Sequence, residues 1–285
     1  MTARESLLSV NGVDLAVEEF GSSPAPTIVL VPGASSTRDW WDDEFCELLA
    51  AGDASGRRHV IRYDLRDTGG STTVPAGSAT YTHRDLVDDL VALIEIRDAA
   101  PAHLVGLSMG GGLAQQVAML RPDLLATVTL MSTSAGDTGG EQLPPPDARF
   151  QEAGPEASPD WSDAAAVGDY WVASERLFSG DIPVDEERVR RIGVRATERS
   201  IDPDASSNHW TLEAGKGLRD DIESIGVPTL IMHGTADPLF PYPHAEHLHR
   251  RIPGSRLVPI PGMGHQFPPP STWELVVGEL LRHTA

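Results

Sequence analysis

A strand-like run, His103 to Leu107, passes through Gly106-Leu107-Ser108-Met109-Gly110 into a helix-like run, Gly111 to Leu120. G-x-S-x-G in that strand–turn–helix setting predicts a sharp corner that lifts the serine Oγ clear of a sheet. A Cβ at position 106 or 110 would crowd the crossing of strand and helix, so glycine stands on both sides. The helix N-terminus beneath the serine aims N–H groups and a partial positive charge toward it. Such a place suits a nucleophile whose intermediate carries an oxyanion. A Gly-rich β–α turn with an incidental serine would explain the pentapeptide alone, but the flanking pattern favours the nucleophile.

The rest of the chain has the alternation that such a corner needs. Leu7 to Phe20 alternates about Asn11-Gly12, a hairpin signal that predicts two antiparallel strands. Thr27 to Val31 is a continuous apolar run, as expected of a strand buried on both faces, and it ends in Pro32-Gly33-Ala34-Ser35-Ser36. Thr37 or Asp39 is expected to cap the next helix, with Trp40, Phe45, Leu48 and Leu49 inward. A strand at His59 to Tyr63, a helix at Thr82 to Ala99 and a strand at Thr127 to Met131 follow. This β–α alternation implies a mostly parallel sheet with right-handed crossovers.

The pattern stops at Ser134 and resumes at a strand, Val227 to Met232. Between them stand a Pro-rich lead and helical stretches near Ala164 to Phe178 and Asp185 to Glu198. Helix-like Pro243 to Arg251, strand Arg256 to Ile260 and helix Thr272 to Leu281 finish the sheet. The expected organisation is therefore core at 1–135, a helical cap inserted at 136–224, and core again at 225–285.

A serine at neutral pH needs a general base, and the base needs an orienting acid. On this kind of sheet the chain order is serine, acid, histidine. Asp237 follows one late strand in His233-Gly234-Thr235-Ala236-Asp237-Pro238, and His265 follows the last in Pro261-Gly262-Met263-Gly264-His265. Both fall at strand C-termini, the edge where open α/β sheets bind ligands. Asp237 would hold the imidazole tautomer and stabilise the imidazolium. His265 would take the Ser108 proton and return it to the leaving group. Asp137 is the rival acid; His209 and His233 are the rival bases. An oxyanion hole would use the N–H of Met109, following the nucleophile, and that of Ala34 in the loop after Val31, with Ser35 next.

Composition bounds what such a site could serve. There are 22 Lys and Arg against 42 Asp and Glu, a formal charge of −20, which argues against nucleic acid and anionic membrane surfaces as partners. Cys46 is the only cysteine, which excludes an intrachain disulfide and fits a reducing compartment; its acidic neighbours predict a buried structural thiol. Alternating residues near Arg4 and Glu5 do not read as a signal peptide, and no later run is long enough to span a bilayer, so a cytoplasmic protein is expected.

These motifs resemble the α/β-hydrolase superfamily across the whole chain. Within it, Arg62-Tyr63-Asp64-Leu65-Arg66-Asp67-Thr68-Gly69-Gly70-Ser71, Gly106 to Gly110 and Ile260 to His265 resemble the aclacinomycin methylesterase type. Those are cap-bearing polyketide methylesterases related to proline iminopeptidase-like enzymes. The resemblance implies an α/β-hydrolase fold and a carboxylesterase acting on a small-molecule ester without metal or organic cofactor, with the methyl ester of a bulky aromatic polyketide as the substrate it suggests. One departure is Pro32-Gly33 where superfamily members often carry His-Gly, which leaves only backbone donors there.

Two other signals are decoys. Asp67-Thr68-Gly69 and Asp137-Thr138-Gly139 match the aspartic-protease triplet, but neither lies in an all-β lobe. His244, His247 and His249 with Glu246 imitate a metal cluster, yet only His244 and His247 share a helix face. In the insertion, Trp161, Tyr170, Trp171, Phe178 and Trp210 form either its own small core or the lining of a cleft; Trp161, Trp171 and Trp210 are the expected substrate contacts. Of Trp40 and Trp41, one is expected in the core and one at a surface or cleft. The sequence reading is a Ser-His-Asp ester hydrolase. An amidase, iminopeptidase or lactonase with the same groups, and a non-catalytic receptor on a hydrolase frame, are its alternatives.

Overall fold

Alternating residues on either side of Asn11-Gly12 close into a hairpin. In the computed structural model, which describes residues 3–154 and 157–285, β1 (Arg4–Val10) pairs antiparallel with β2 (Val13–Phe20). Asn11 and Gly12 both take positive φ, 44° and 78°, the turn geometry that matches strand twist. Then come β3 (Thr27–Val31), α1 (Asp43–Ala51), β4 (His59–Tyr63), α2 (His83–Ile96), β5 (Ala102–Leu107), α3 (Met109–Leu120) and β6 (Leu125–Met131). Helices α4 (Arg149–Ala153), α5 (Ala164–Phe178) and α6 (Glu186–Arg199) separate β6 from β7 (Thr229–Gly234). The chain finishes with α7 (Pro243–Arg251), β8 (Arg256–Ile260) and α8 (Trp273–His283).

The sheet order is β1-β2-β4-β3-β5-β6-β7-β8. β2 joins β4 antiparallel, and every later pairing is parallel. Strands buried on both faces explain the continuous apolar runs: in β3, Val29 and Val31 enter one core and Ile28 and Leu30 the other. The first core receives α2 and α3 through Leu86, Leu90, Leu113 and Val117. The second receives α1 and α8 through Phe45, Leu49, Val276 and Leu280. Cys46 lies in that second core, where burial pushes its thiol up to about 12. No described helix is long and apolar enough to cross a membrane.

Three boundaries differ from the sequence expectation. Thr37 caps only a short 3₁₀ turn, Arg38–Trp40, and α1 starts later, at Asp43, where the Asp42 side chain accepts from Glu44 N–H. Asp39 is unavailable as a cap for α1 because Arg195 and Arg199 of α6 hold it. Leu48 of α1 faces solvent rather than the core. β7 begins at Thr229 because Pro228 has no N–H for the ladder, and β6 begins two residues early, where Leu125 pairs with Ala102.

Helices α5 and α6 pack on each other, and Gly193 is what lets them close: a Cβ there would lie 2.3 Å from the Trp171 ring. They seat on the second core through Val172, Val189 and Ile192, and ion pairs ring that contact. Arg199 Nη2 meets Asp39 at 2.7 Å and Asp64 at 2.9 Å, Arg195 meets Asp43 at 2.7 Å, and Arg188 meets Asp42 at 3.1 Å. Burial alone would raise the Asp39 carboxyl's pKa, but hydrogen bonding and charge from Arg199 and Arg195 outweigh it and lower it.

Candidate active site

Ser108 stands between β5 and α3 with φ 54° and ψ −118°, a left-handed conformation that costs an L-residue energy. The surroundings hold it there: its N–H donates to Met131 O at 2.9 Å, and its carbonyl accepts from Thr133 Oγ1 at 2.9 Å. Both flanking glycines are obligatory. A Cβ on Gly106 would fall 2.2 Å from Gly110 O, and one on Gly110 would fall 2.5 Å from Val31 O and Pro32 O.

The loops after β7 and β8 bring two groups to that corner. His265 Nε2 lies 2.9 Å from Ser108 Oγ, and His265 Nδ1 lies 2.9 Å from Asp237 Oδ2. The other Asp237 oxygen, Oδ1, accepts from Leu239 N–H at 2.9 Å and Phe240 N–H at 2.8 Å. Burial would raise the Asp237 pKa; hydrogen bonds from His233 and His265 outweigh it and hold the carboxyl well below the usual carboxylate range. An ionised acid, an oriented imidazole and a hydroxyl in line are the parts of acyl transfer. The α5 terminus holds the main chain of His265, since Phe178 O accepts from the His265 backbone N–H at 2.8 Å.

The rival groups lie elsewhere. Asp137 is exposed and accepts from Gly139 N–H. His233 sits behind Asp237, with Nε2 2.7 Å from Phe240 O and 3.3 Å from Asp237 Oδ2. His209 is buried under the loop that follows β3: its Nδ1 accepts from Ser35 N–H at 3.0 Å and its Nε2 donates to Arg66 O at 2.7 Å. That arrangement requires a neutral imidazole, and burial lowers its pKa accordingly. It also takes Ser35 N–H out of use, which leaves the Ala34 amide of the two considered. Met109 is the first residue of α3, where an N–H has no intrahelical acceptor.

Ser108, His265 and Ala34 open on a cavity of about 990 Å³. Trp161, Trp171 and Trp210 all line it, with Tyr170, Phe178 and Trp40. Their surroundings separate their duties. Trp161 stands edge-on to Tyr170 at 5.5 Å between centroids. Trp171 is wedged between Trp40, 5.2 Å away, and Gly193, and donates to Thr197 Oγ1. Trp210 is 62% exposed, yet its indole N–H donates to Ser35 Oγ at 2.9 Å, tying it to the loop that carries Ala34. Trp41 is the core member of the Trp40–Trp41 pair. Sequence reasoning missed Glu175 and Gln266, which also line the cavity, and the buttress at His209; Gln266 stands next to His265, the one signal that pointed to it.

Both decoys are engaged locally. Asp67 accepts from Val74 N–H, Tyr81 O–H and Asn208 Nδ2, shaping a loop. His244 lies between Ser134 Oγ and Pro144 O, His247 meets Glu141, and His249 meets Ser255, so the three imidazoles have separate partners.

Comparison with known proteins agrees in fold and in kind. The sequence profile of the alpha/beta hydrolase family matches residues 28–279. The rhodomycin D methylesterase DauP of Streptomyces sp. (strain C5) is 30% identical over 278 residues, covering 92% of either chain. The rhodomycin D methylesterase DnrP of Streptomyces peucetius is 29% identical over 279 residues, with the same coverage. Among solved structures, a hydrolase from Pseudomonas aeruginosa PA01 superposes with a TM-score of 0.71 at 25% identity, covering 98% of this chain and 97% of its own. The enol-lactonase from Burkholderia xenovorans LB400 shares the fold, with a TM-score of 0.72 at 22% identity over 98% of this chain and 99% of its own.

Proposed function

The chain belongs to the alpha/beta hydrolase family and is a carboxylic ester hydrolase, and from that premise we propose that Ser108, His265 and Asp237 cleave the ester through an acyl-enzyme. Ser108 Oγ attacks the ester carbonyl as His265 Nε2 takes its proton. The N–H groups of Ala34 and Met109 receive the oxyanion, and His265 then protonates the departing alcohol. A water activated by the same imidazole releases the acid. Asp237 keeps Nδ1 protonated and stabilises the imidazolium throughout. The observation that carries this reading is His265 placed 2.9 Å from both Ser108 Oγ and Asp237 Oδ2.

Residues 136–224 act as a cap, and the aromatic cavity beneath it takes a bulky, planar acyl group. The substrate we favour is the methyl ester of a fused-ring aromatic acid: methanol needs little room beside Ser108, and Trp161 and Trp171 offer ring faces to the acyl group. Similarity to two methylesterases supports that choice. The test is turnover of a fused-ring methyl ester alongside an aryl acetate, a lactone and a prolyl amide, with a serine-directed phosphonate as trap. Labelling at Ser108 with preferred turnover of the fused-ring methyl ester is the expected result. Faster cleavage of the lactone or the amide would replace the ester; labelling at another serine would remove Ser108.

A further inference from the structure

Glu175 lies on α5 one turn before Phe178, the residue whose carbonyl holds His265 N–H, and it lines the cavity. Gln266 Nε2 donates to Glu175 Oε1 at 2.7 Å, and Gln266 Oε1 accepts from Gly264 N–H at 3.3 Å. The amide is thereby oriented, and the carboxyl is held against the His265 loop. Oε2 has no hydrogen-bond partner among the described residues. Burial raises the Glu175 pKa, opposed by the Gln266 hydrogen bond and the charge of Arg188. Arg188 itself is committed elsewhere, to Asp42 at 3.1 Å and to the Trp273 ring face.

The remaining lining gives this carboxyl no cation. Among the described lining residues there is neither Lys nor Arg, and the second acid, Asp204, accepts from Ser158 Oγ. Trp161, in the turn before α5, packs edge-on to Tyr170, and Tyr170 packs edge-on to its neighbour Trp171. A carboxylate among ring faces stabilises an N–H or O–H donor, most of all a cation. A second negative charge on the ligand would sit in a low-dielectric space with no countercharge.

We infer that Glu175 is the specificity-determining residue of this cavity: it receives an N–H or O–H donor on the acyl group, best a protonated amine, and excludes acyl groups that carry a negative charge. The inference rests on the cavity being the acyl site of the proposed esterase. It adds what that acyl group must carry.

The test uses three matched naphthalene probes, bearing an aminomethyl, a hydroxymethyl or a carboxylate group, as competitive inhibitors of short aryl ester hydrolysis. The ammonium should bind about thirtyfold more tightly than the carboxylate, with the alcohol between them. Glu175→Gln keeps the side-chain shape and an acceptor for Gln266 but removes the charge. It should weaken the ammonium and strengthen the carboxylate, bringing their Ki values within about threefold. Opposite movements of two ligands are not produced by a folding defect. Equal Ki values in the native enzyme, or a ratio that survives Glu175→Gln, overturn the assignment. So does a ratio that collapses only in Asp204→Asn, which would place selection at that residue. Failure of all three probes to inhibit counts against both Glu175 and the cavity as the acyl site. Turnover of methyl 2-naphthoate is measured separately: its absence removes the bulky methyl ester, while the Ki ratio still decides Glu175.

Discussion

Around β3 and β5 every residue is buried and apolar contact closes both faces, whereas α6 adds to the apolar contacts of Val189 and Ile192 a set of ion pairs, Arg188, Arg195 and Arg199 against Asp39, Asp42, Asp43 and Asp64. Apolar burial accepts any neighbour of suitable volume and gains about 25 cal/mol per Å². A buried ion pair depends on one named partner, and its loss leaves an uncompensated charge. The sheet is therefore a tolerant frame that presents Ser108, Asp237 and His265 from strand ends. The helices between β6 and β7 are a keyed part, and what they bring to the cavity is aromatic lining.

That division predicts effects of different size and different dependence on the substrate. The largest belong to the sheet. Ser108→Ala and His265→Ala should each lower kcat by about 10⁴–10⁶, equally for short and bulky esters, with the double variant little worse than either. Asp237→Asn should cost on the order of 10⁴, and Asp137→Asn should cost almost nothing. Multiplicative losses in the double variant, or losses that depend on ester size, would break the separation between frame and cap.

Next is the seat of the cap. Arg199→Leu leaves Asp64 without its guanidinium and Asp39 with Arg195 alone, and should destabilise the protein by about 3 kcal/mol, read as a lower Tm and faster proteolysis within residues 136–224. An unchanged Tm would mean that apolar contacts, not ion pairs, seat α6.

Smaller again are the contacts with substrate. Trp161→Ala, removing ~80 Å² of contact, should lower kcat/KM for a fused-ring methyl ester about thirtyfold, or ~2 kcal/mol, and leave an acetate within about threefold. Trp210→Ala should instead impair both esters, because its indole N–H holds Ser35 beside Ala34. If both tryptophans discriminate by ester size, Trp210 serves the acyl group and not the oxyanion loop.

Acid titration sharpens the same contrast. On the sheet, burial, with Arg58 and His283 nearby, pushes His103 down to about 4. Between its unfolded value near 6.5 and that value the unfolded chain binds the extra proton, so stability falls as pH falls through this window. Where α6 meets α1, Arg195 and Arg62 outweigh the burial of Asp43 and lower it to about 2. Its contribution is full above about 3.8 and is lost only as pH falls toward 2. Stability measured against pH should therefore fall first between about 6.5 and 4, with His103 contributing up to ~2 kcal/mol, and His103→Gln should make that limb shallower and leave the limb below pH 4 unchanged. A first drop below pH 4 would reverse the order.

The same contrast explains what the sequence made legible. Gly106 to Gly110 is local, and its glycines answer to atoms within a few residues or on the adjoining strand end, so the corner could be read directly. Asp237 and His265 could be singled out because parallel strands deliver loops to one edge, and the structure brings both beside Ser108. The limits of α1 were misread because Asp39 is claimed by Arg195 and Arg199, about 160 positions away, and no periodicity records that. His209 looked like a spare base for the same reason: its partner, Ser35, is 174 residues distant. Glu175 gave no signal, since its place on α5 follows from how the helix docks against Gln266.

Ser35 is gripped by the segment beyond α6: its hydroxyl donates to Ser206 O, its Oγ accepts from the Trp210 indole N–H, and its backbone N–H donates to His209 Nδ1. For recombination among relatives, the cap is consequently not a detachable module. A chimera joining the sheet of one parent to the cap of another would inherit the triad intact and yet receive Ala34 from a loop whose clasp belongs to a different lineage. Residues 33–36 and 206–210 are units of one inheritance, to be exchanged together or left together.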